Sequence, residues 1–501
     1  MLEKNIMNEI SAVELCDIMK KHKTFAFGAG RILDGTIASF GMCHLEDYID
    51  CIIDNNDSLW GTWRKVGNNS IPVNSPEYLR KNVNADDIII IMTKAYDQIL
   101  DQLSMYEELT GVKIYKYPIT QFRDECIHDE EYMMLPLTDT ILMQGQGDSC
   151  ENALAIYEYL KENDLLKKYQ IAFLCDNPSK YEDEPNVKYL YRNDRHLVCN
   201  VEKVWERKYY EYTSKYIFYE NKYIYKKRPD QVAVYLKHGT FMLKNVKGII
   251  CIPEEVEYAI CTSDNYADFA AEQESIAREK LLICGSPRLD FLYKDKNVLK
   301  TLGLFNEKKK YILWLPTLRQ NGRGRNDVDC ISPYGIPIVQ TDKDFEELNE
   351  TLTMLEINLI IKPHPYQDLS VYKVDGYSNI NFVSQSELDK NNFSIHSLMR
   401  ETHALISDYS SVAFDYMLLD RPIAYTVDDM NEYKIGFSVK NPYDYMPGEK
   451  LMNVQDMIKF ISNVYNQNDI YADHRRRVRD YIHKYQDDKN TERFLQFMKM
   501  I

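Results

Sequence analysis

The sequence predicts an α/β fold, and three observations lead to this prediction. Short apolar runs recur along the chain, each followed by a polar loop and then by residues with helical spacing, which is typical of alternating strands and helices. The loops after these runs repeatedly hold lysine, histidine or hydroxyl side chains. With 501 residues, the chain is too long for one compact core. We therefore expect three domains, at residues 1–135, 136–298 and 299–501.

Composition excludes several classes of protein. Apolar residues make up 45% of the chain and charged residues 28%, as in soluble globular proteins. The net charge of −16 argues against a nucleic-acid partner. Eleven cysteines occur without a CxxC pair, which indicates reduced thiols, a cytoplasmic location and no structural zinc. Residues 1–21 lack a signal-peptide core, and no apolar run approaches the ~18 residues that cross a bilayer.

The first predicted domain has the outline of a nucleotide-binding βαβ unit. Its expected elements are strands at 24–27, 49–53 and 87–92 and helices at 9–20, 32–40 and 96–109. Gly28 and Gly30 follow the first strand, and Asp54 follows the second. The third glycine of a GxGxxG pattern is missing, because Leu33 stands in its place. A tight turn before a helix explains this pattern at least as well as a nucleotide site.

In the second predicted domain, a histidine follows a buried strand. The expected elements are a helix at 152–161 and strands at 171–174, 232–236, 258–261 and 281–284, with an irregular segment at 181–200. His238 follows the strand at 232–236, between Lys237 and Gly239, and Thr240 comes next. Because glycine lets a substrate approach the backbone closely, this arrangement suits a histidine that faces a ligand.

The third predicted domain carries two further groups of polar residues at strand ends. We expect strands at 311–315, 359–361, 380–383, 404–406 and 421–425, and helices at 344–355, 394–400, 412–419, 454–465 and 471–500. Lys362 and His364 follow one strand, and two prolines stiffen their loop. Ser410 and Ser411 come just before a helix, whose free N–H groups favour a phosphate. Two such strand ends side by side predict a diphosphate pocket in a cleft between two α/β units.

Five motifs together resemble a known family. They are KHGT at 237–240, GSPRLD at 285–290, PTLR at 316–319, KPHP at 362–365 and SDYSSVAFD at 407–415. In this order they resemble the CDP-glycerol glycerophosphotransferases, the family of teichoic acid primases and polymerases and of capsule polymerase-like enzymes. The resemblance implies a GT-B-like pair of Rossmann-type domains, an acceptor-side one at 136–298 and a CDP-polyol-binding one at 299–501, beside an additional N-terminal Rossmann-like domain. Phe241 and Leu318 depart from the family pattern, which we expect to affect the acceptor side.

The resemblance also implies a reaction and roles for individual residues. An acceptor hydroxyl would attack the β-phosphorus of the CDP-polyol, and CMP would leave. We take His238 as the candidate general base, since a near-neutral imidazole can accept the hydroxyl proton, and His364 as a second catalytic residue that balances charge on CMP. The expected substrate-binding residues are Lys362, Arg288 and Arg319 for phosphate groups, Thr240, Asp408 for the polyol or ribose, and Ser410 and Ser411 for phosphate oxygens.

Cofactor and partners follow from the same resemblance. We expect no tightly bound cofactor or metal, with assistance by Mg²⁺ left open. The expected donor is CDP-glycerol or a related CDP-polyol, and the expected acceptor is lipid-linked or an oligosaccharide. Basic runs at 207–228 and 475–477 suggest peripheral association with the inner face of the membrane, although a solvated helix and strand explain the first run slightly better. A homo-oligomer is left open.

Two alternatives remain at this point. The same strand ends would serve a ribitol-phosphate transferase or a GT-B glycosyltransferase that uses a nucleotide sugar. A scaffold that binds a nucleotide-linked precursor without turnover would also show them. Nucleotide release from a panel of donors separates these alternatives, because a glycosyltransferase would release UDP and a scaffold would release nothing.

Overall fold

The protein was analysed as a computed structural model with several parallel sheets. It describes residues 12–29, 48–66, 69–93, 95–117, 132–144, 151–182, 184–192, 201–221, 223–250, 252–318, 333–364, 367 and 376–501. By its internal contacts the chain forms two units, Met1–Thr140 with Ala172–Ser214 and Ile141–Ile171 with Lys215–Ile501. The expected domain boundaries near 135 and 298 stay predictions.

Strands and helices alternate along the described chain. The strands are β1 (Thr24–Phe27), β2 (Cys51–Ile53), β3 (Trp63–Val66), β4 (Asn69–Asn74), β5 (Ile88–Ile91), β6 (Lys113–Lys116), β7 (Thr138–Gln144), β8 (Gln170–Cys175), β9 (Val187–Tyr191), β10 (Ser214–Tyr219), β11 (Val232–Tyr235), β12 (Tyr258–Cys261), β13 (Leu281–Ile283), β14 (Lys310–Trp314), β15 (Ile357–Ile361), β16 (Ile380–Phe382), β17 (Ala404–Ser407), β18 (Ile423–Thr426) and β19 (Glu449–Leu451). The helices are α1 (Ala12–Met19), α2 (Pro76–Asn82), α3 (Tyr96–Ser104), α4 (Glu151–Glu162), α5 (Val201–Thr213), α6 (Ala267–Glu274), α7 (Val298–Thr301), α8 (Asp342–Met354), α9 (Gln385–Lys390), α10 (Ile395–Arg400), α11 (Val412–Tyr416), α12 (Val454–Tyr465), α13 (Ala472–Ile482) and α14 (Asn490–Phe497).

The sequence predictions of secondary structure are largely confirmed. Every expected strand is present, with ends that differ by up to two residues. The expected helix at 471–500 is two helices, α13 and α14, and that at 412–419 is α11 followed by a 3₁₀ turn, Met417–Leu419. The prediction that 181–200 is irregular was wrong, because β9 lies there. The expected helix at 32–40 lies outside the described residues.

In the first unit, the turn at Gly28 after β1 is stabilised by contacts with other parts of the same sheet. One sheet of this unit has six strands in the order β3-β4-β2-β1-β5-β6, and all neighbours are parallel except for the antiparallel β3–β4 pair. Gly28 has a φ of +118°, and a Cβ there would lie 2.9 Å from the Met92 carbonyl oxygen. The Asp54 carboxylate accepts a hydrogen bond from the Ala29 N–H at 2.7 Å. The acid that would bind a ribose in a nucleotide site therefore stabilises the turn, and this favours the tight-turn interpretation.

In the second unit, parallel strands bring the predicted site residues to common sheet edges. One series runs β13-β12-β11-β10-β7, and a separate sheet runs β16-β15-β14-β17-β18-β19. In the latter, β14 pairs in parallel with both β15 and β17. The loops that follow these three strands, which contain Lys362, Thr317 and Asp408, therefore leave the sheet at the same edge.

Residues near position 490 pack against the loop after β13. The Asp290 carboxylate accepts four hydrogen bonds, from the backbone N–H and side-chain amide of Asn490 and from the backbone N–H and hydroxyl of Thr491, at 2.6–2.9 Å. Further along, the Tyr169 hydroxyl donates to the Met500 carbonyl at 2.8 Å. The GSPRLD motif thus anchors the N-terminus of α14.

We predict that Asp290→Asn destabilises the second unit by about 1–3 kcal/mol, because an amide cannot accept all four hydrogen bonds. The measurement is urea denaturation followed by circular dichroism. Asp488→Asn is the control, since Asp488 is exposed. Equal denaturation midpoints for the two variants would contradict the anchoring role.

Candidate active site

His238 lies on the loop after β11 with one side of its ring in the protein interior. Its Nδ1 is buried, whereas the residue as a whole keeps partial exposure. Burial lowers the pKa of His238, and the positive charge of Arg288 lowers it further. A neutral imidazole at pH 7 is the form that can accept a proton.

Gly239 brings this loop against the serine pair. A Cβ built on Gly239 would lie 2.7 Å from the Ser411 Oγ and 2.5 Å from the Met242 Cε. Ser411 is the N-cap of α11, and the Ser410 hydroxyl accepts a hydrogen bond from the Val412 N–H at 3.4 Å. The structure therefore places the His238 loop and Ser410–Ser411 side by side, with room only for glycine between them.

A buried charge network lies beneath this junction. The Asp415 carboxylate, 1% exposed, accepts hydrogen bonds from the Thr240 hydroxyl and from the Arg288 guanidinium, the latter at 2.9 Å. His396 Nε2 lies 2.9 Å from the same carboxylate. Burial alone would raise the pKa of Asp415. The charge of Arg288 and the hydrogen bonds to the Asp415 carboxylate instead hold this pKa well below its usual value. Asp415 is therefore ionised and neutralises the buried arginine.

Asn152, at the start of α4, connects the loop after β11 with the loop after β13. Its amide N–H groups donate to the carbonyls of Leu236 and Lys237 at 2.9 and 2.8 Å. Its carbonyl oxygen accepts from the Ser286 hydroxyl and the Arg288 N–H at 2.8 and 3.0 Å. The amide N–H groups thus hold the backbone that leads to His238, and the carbonyl oxygen ties that backbone to the loop after β13.

Two glutamates lie close to the same loops. Glu151 forms an ion pair with Arg288, with 3.3 Å between Oε2 and Nη1. Glu220, at the end of β10, accepts a hydrogen bond from the Ala153 N–H at 2.8 Å. Burial and the nearby charge of Glu151 raise the pKa of Glu220 to about 8, so that it is mostly protonated at pH 7.

Lys362 is a buried cation at the end of β15. Burial lowers its pKa to about 8, and within the described residues Glu151 and Asp389 are the carboxylates whose charges partly oppose this. Glu151 also acts electrostatically on His238. The charge of Glu151 therefore favours the protonated form of both Lys362 and His238.

Three predicted site residues, His364, Asp408 and Arg319, have not yet been placed. His364 lies two residues beyond Lys362 and is partly buried. Among the contacts given above for the described residues, none joins His364 to His238. The Asp408 carboxylate accepts from the Thr317 N–H and hydroxyl at 2.8 and 2.9 Å and from the Ser410 N–H at 3.2 Å. Asp408 thus stabilises its own loop, and its role toward polyol or ribose stays a prediction. Arg319 lies outside the described residues.

Comparison with known proteins identifies the family. Residues 139–499 match the model described as CDP-glycerol:poly(glycerophosphate) glycerophosphotransferase. This match covers more than half of the chain. The chain belongs to this family.

Two curated relatives and one solved structure are similar over most of their length. The teichoic acid glycerol-phosphate primase of Bacillus subtilis is 25% identical over 374 residues, 70% of this chain and 89% of the primase. The teichoic acid poly(glycerol phosphate) polymerase of Bacillus spizizenii is 28% identical over 379 residues, covering 66% and 86% of the two chains. The wall teichoic acid polymerase TagF has a TM-score of 0.59 at 18% identity, over 75% of this chain and 91% of TagF.

These findings confirm the predicted family, the GT-B-like α/β fold and the enzyme class. The chain is a glycerophosphotransferase, which transfers a substituted phosphate group. The TagF comparison supports the fold alone. Roles of individual residues stay predictions.

Two departures from the family's motifs lie in the core. Phe241 is 1% exposed and packs against Phe414 of α11, with ring centroids 4.9 Å apart. Leu318 is 2% exposed. Both side chains are therefore buried, and their effect on the acceptor side stays a prediction.

The basic runs do not form unopposed positive patches. Arg475 is 1% exposed and forms ion pairs with Asp420 and Asp469. Within the first run, Arg207 pairs with Glu211, and Arg228 pairs with Asp230. These carboxylates weaken the electrostatic case for binding anionic lipid. In the described part of the chain, no helix has the length and apolar content to cross a membrane.

Some site residues have no clear sequence signal. His396 lies within helix α10, and its contact with Asp415 joins residues on two separate helices. Asp415, the last residue of the motif at 407–415, contacts Thr240 and Arg288, which are distant in sequence. Glu220 could have been found, because it follows a buried strand as His238 does. Among the described residues, no group of three or more His, Cys, Asp or Glu side chains could hold a metal ion.

We predict that Asp415→Asn lowers the free energy of unfolding by about 3–5 kcal/mol at pH 7, because Arg288 would lose a buried counter-ion. Since the folded-state pKa of Asp415 is depressed, its contribution is present above its unfolded pKa of about 4 and is lost as pH falls below that value. Denaturant titrations at several pH values should show the difference between wild type and variant shrinking in acid.

The matched control is Asp473→Asn, which removes an ion pair whose aspartate is 87% exposed. It should change stability by less than about 1 kcal/mol at any pH. A pH-independent loss in Asp415→Asn would contradict the electrostatic role.

Proposed function

We propose that the chain transfers glycerol phosphate from CDP-glycerol to a hydroxyl group of a teichoic-acid-like or capsular glycopolymer. The observation that carries this proposal is His238, whose lowered pKa and partial exposure suit a general base, on a loop that packs against Ser411. The family match supplies the donor class. The names of the two curated relatives support glycerol phosphate as the transferred group.

The proposed reaction is one displacement at phosphorus. The acceptor oxygen bonds to the phosphorus that carries glycerol, and the bond from that phosphorus to the CMP oxygen breaks. The hydroxyl proton passes to His238 Nε2, and CMP leaves with the bonding electron pair. Phosphoryl transfer mainly needs alignment and neutralisation of charge. His364 and Lys362 would serve the second need at the diphosphate.

Other positive and hydroxyl groups complete the proposed donor site. Ser410 and Ser411 would contact phosphate oxygens, and Arg319 would add a positive charge. Arg288 is 2% exposed and is paired with two carboxylates, so its support for phosphate binding is electrostatic and indirect. We propose that no metal is tightly held, and that Mg²⁺ assists when it arrives with the diphosphate.

The acceptor and the cellular location belong to the same proposal. We propose a lipid-linked or oligosaccharide acceptor, reached by peripheral association with the cytoplasmic face of the membrane. The kinship with teichoic acid primases and polymerases supports a polymer acceptor. Because several arginines of the basic runs are paired with carboxylates, we propose that the acceptor contributes to this association.

We predict that His238→Ala reduces turnover of CDP-glycerol by about 10²–10⁴-fold while donor binding persists, because a general base acts on the proton transfer and not on the donor. The measurement is CMP release with CDP-glycerol, CDP-ribitol and UDP-sugars, together with calorimetric donor binding. His474→Ala is the control, since the His474 ring on α13 contacts the backbone carbonyl of Asp444, outside the proposed site. Release of UDP and never CMP would overturn the proposal, and binding without any release would favour the scaffold.

We also predict a pH dependence of donor binding that arises from Lys362. Its pKa of about 8 means that its charge is present at pH 7 and is lost as pH rises toward 9. The dissociation constant of CDP-glycerol should therefore increase across this range. In Lys362→Met, binding should be about 10–100-fold weaker at pH 7 and should change little with pH.

Lys450→Met is the matched control for this titration. The pKa of Lys450 is also lowered to about 8, but its ammonium group donates to the Met446 and Gly448 carbonyls. This variant should retain the wild-type pH dependence. If Lys362→Met kept that dependence as well, Lys362 would not contact the donor.

A further inference from the structure

The residue before His238 has an unfavourable backbone conformation. Lys237 has a φ of +55°, in the left-handed region that side chains other than glycine and asparagine rarely adopt. Such a conformation persists only where the surroundings impose it. Because it sets the direction in which the chain leaves β11, it also sets where the His238 ring lies.

A buried ion pair fixes this residue from its side chain. Lys237 Nζ lies 2.6 Å from Glu274 Oε2, and both side chains are 4% exposed. Burial alone would lower the pKa of Lys237, but the charge of Glu274 raises it above its usual value. The lysine is therefore charged, and its counter-ion is fixed in the interior.

The negative charge of Glu274 does not stabilise helix α6. Glu274 is the last residue of α6, and a negative charge at a helix C-terminus opposes the helix dipole. A buried ion pair is also rarely more stable than apolar residues of the same size. The pair is therefore poorly explained by stability.

The backbone carbonyl of Lys237 is held as well. It accepts a hydrogen bond from the Asn152 amide at 2.8 Å, and Asn152 also bonds to Arg288 and Ser286. Residue 237 is thus held at its side chain by α6 and at its backbone by α4. Two independent attachments converge on the residue that precedes the proposed base.

We propose that Lys237 and Glu274 are positioning residues that orient His238 for proton transfer. The ion pair stabilises the left-handed conformation of residue 237, and this conformation directs the imidazole toward the acceptor hydroxyl. Neither residue contacts the substrate. The inference rests on the proposed function, since it assigns a device that serves the proposed base.

Glu274→Gln tests the proposal with a nearly isosteric change. We expect turnover to fall roughly 10–100-fold, because small misplacements of a reacting group have effects of this size, with the calorimetric dissociation constant of CDP-glycerol changed less than about twofold. Glu272→Gln on the same helix is the matched control. It removes the Lys247–Glu272 ion pair of 2.7 Å, which is 58% and 62% exposed, and should leave turnover unchanged.

A double-mutant cycle separates positioning from a structural role. If Glu274 acts through His238, Glu274→Gln should reduce turnover no further in a His238→Ala background. The Lys237→Met/Glu274→Gln variant removes both charges and leaves no unpaired buried ion, so its melting temperature should recover while its turnover stays low. This variant also keeps the test valid if Glu274→Gln alone folds poorly.

Three results would overturn the inference. They are equal turnover in Glu274→Gln and Glu272→Gln, an undiminished effect of Glu274→Gln in the His238→Ala background, and joint recovery of melting temperature and turnover in the double variant. Failure of the proposed function would look different, since the wild-type chain would then release no CMP from CDP-glycerol.

Discussion

The contact between Arg288 and Asp415 is the constraint on which the site depends. The two residues are 127 positions apart, and both side chains are almost fully buried. A charge in such surroundings is strongly destabilising without its counter-ion. The loop after β13 and helix α11 can therefore pack in one relative position, the one in which these charges meet. Thr240 joins the same carboxylate, so the histidine loop is held to that position as well.

The network also sets the electrostatics around the proposed base. Arg288 contributes to the lowered pKa of His238, and Glu151 opposes it. Glu151 has the same opposing effect on Lys362. One arginine and one glutamate thus adjust the groups proposed for proton transfer and for donor binding. Arg288 and Glu151 also form an ion pair with each other.

Much of the fold could be predicted because strands and helices have local signals. The apolar run Leu359–Ile361 of β15 and the helical spacing of α12 are visible in short windows. The parallel-sheet rule then places Lys362 and Asp408 at one edge. The β3–β4 hairpin was not predicted, because Pro72 and polar residues interrupt its alternation. β9 is only partly buried and lies among charged residues, so its apolar signal is weak.

The candidate site was only partly predictable, because its pairings are not local. Polar residues after strands indicated His238 and Lys362. No spacing in the sequence connects Lys237 with Glu274 or His396 with Asp415, since each pair depends on how separate elements pack. Arg288 was expected to face phosphate, but the structure shows its guanidinium bonded to Asp415 and Glu151. A motif identifies which residues matter more readily than it identifies what they touch.

The anchoring of Asn490 and Thr491 by Asp290 has a consequence for biosynthesis. These partners are 200 and 201 positions apart, so a ribosome that adds ~5–20 residues per second completes the contact only after about 10–40 s. During that interval the nascent chain carries an aspartate and an apolar surface whose cover has not yet been made. This part of the unit therefore cannot finish folding until the residues near position 490 have been synthesised.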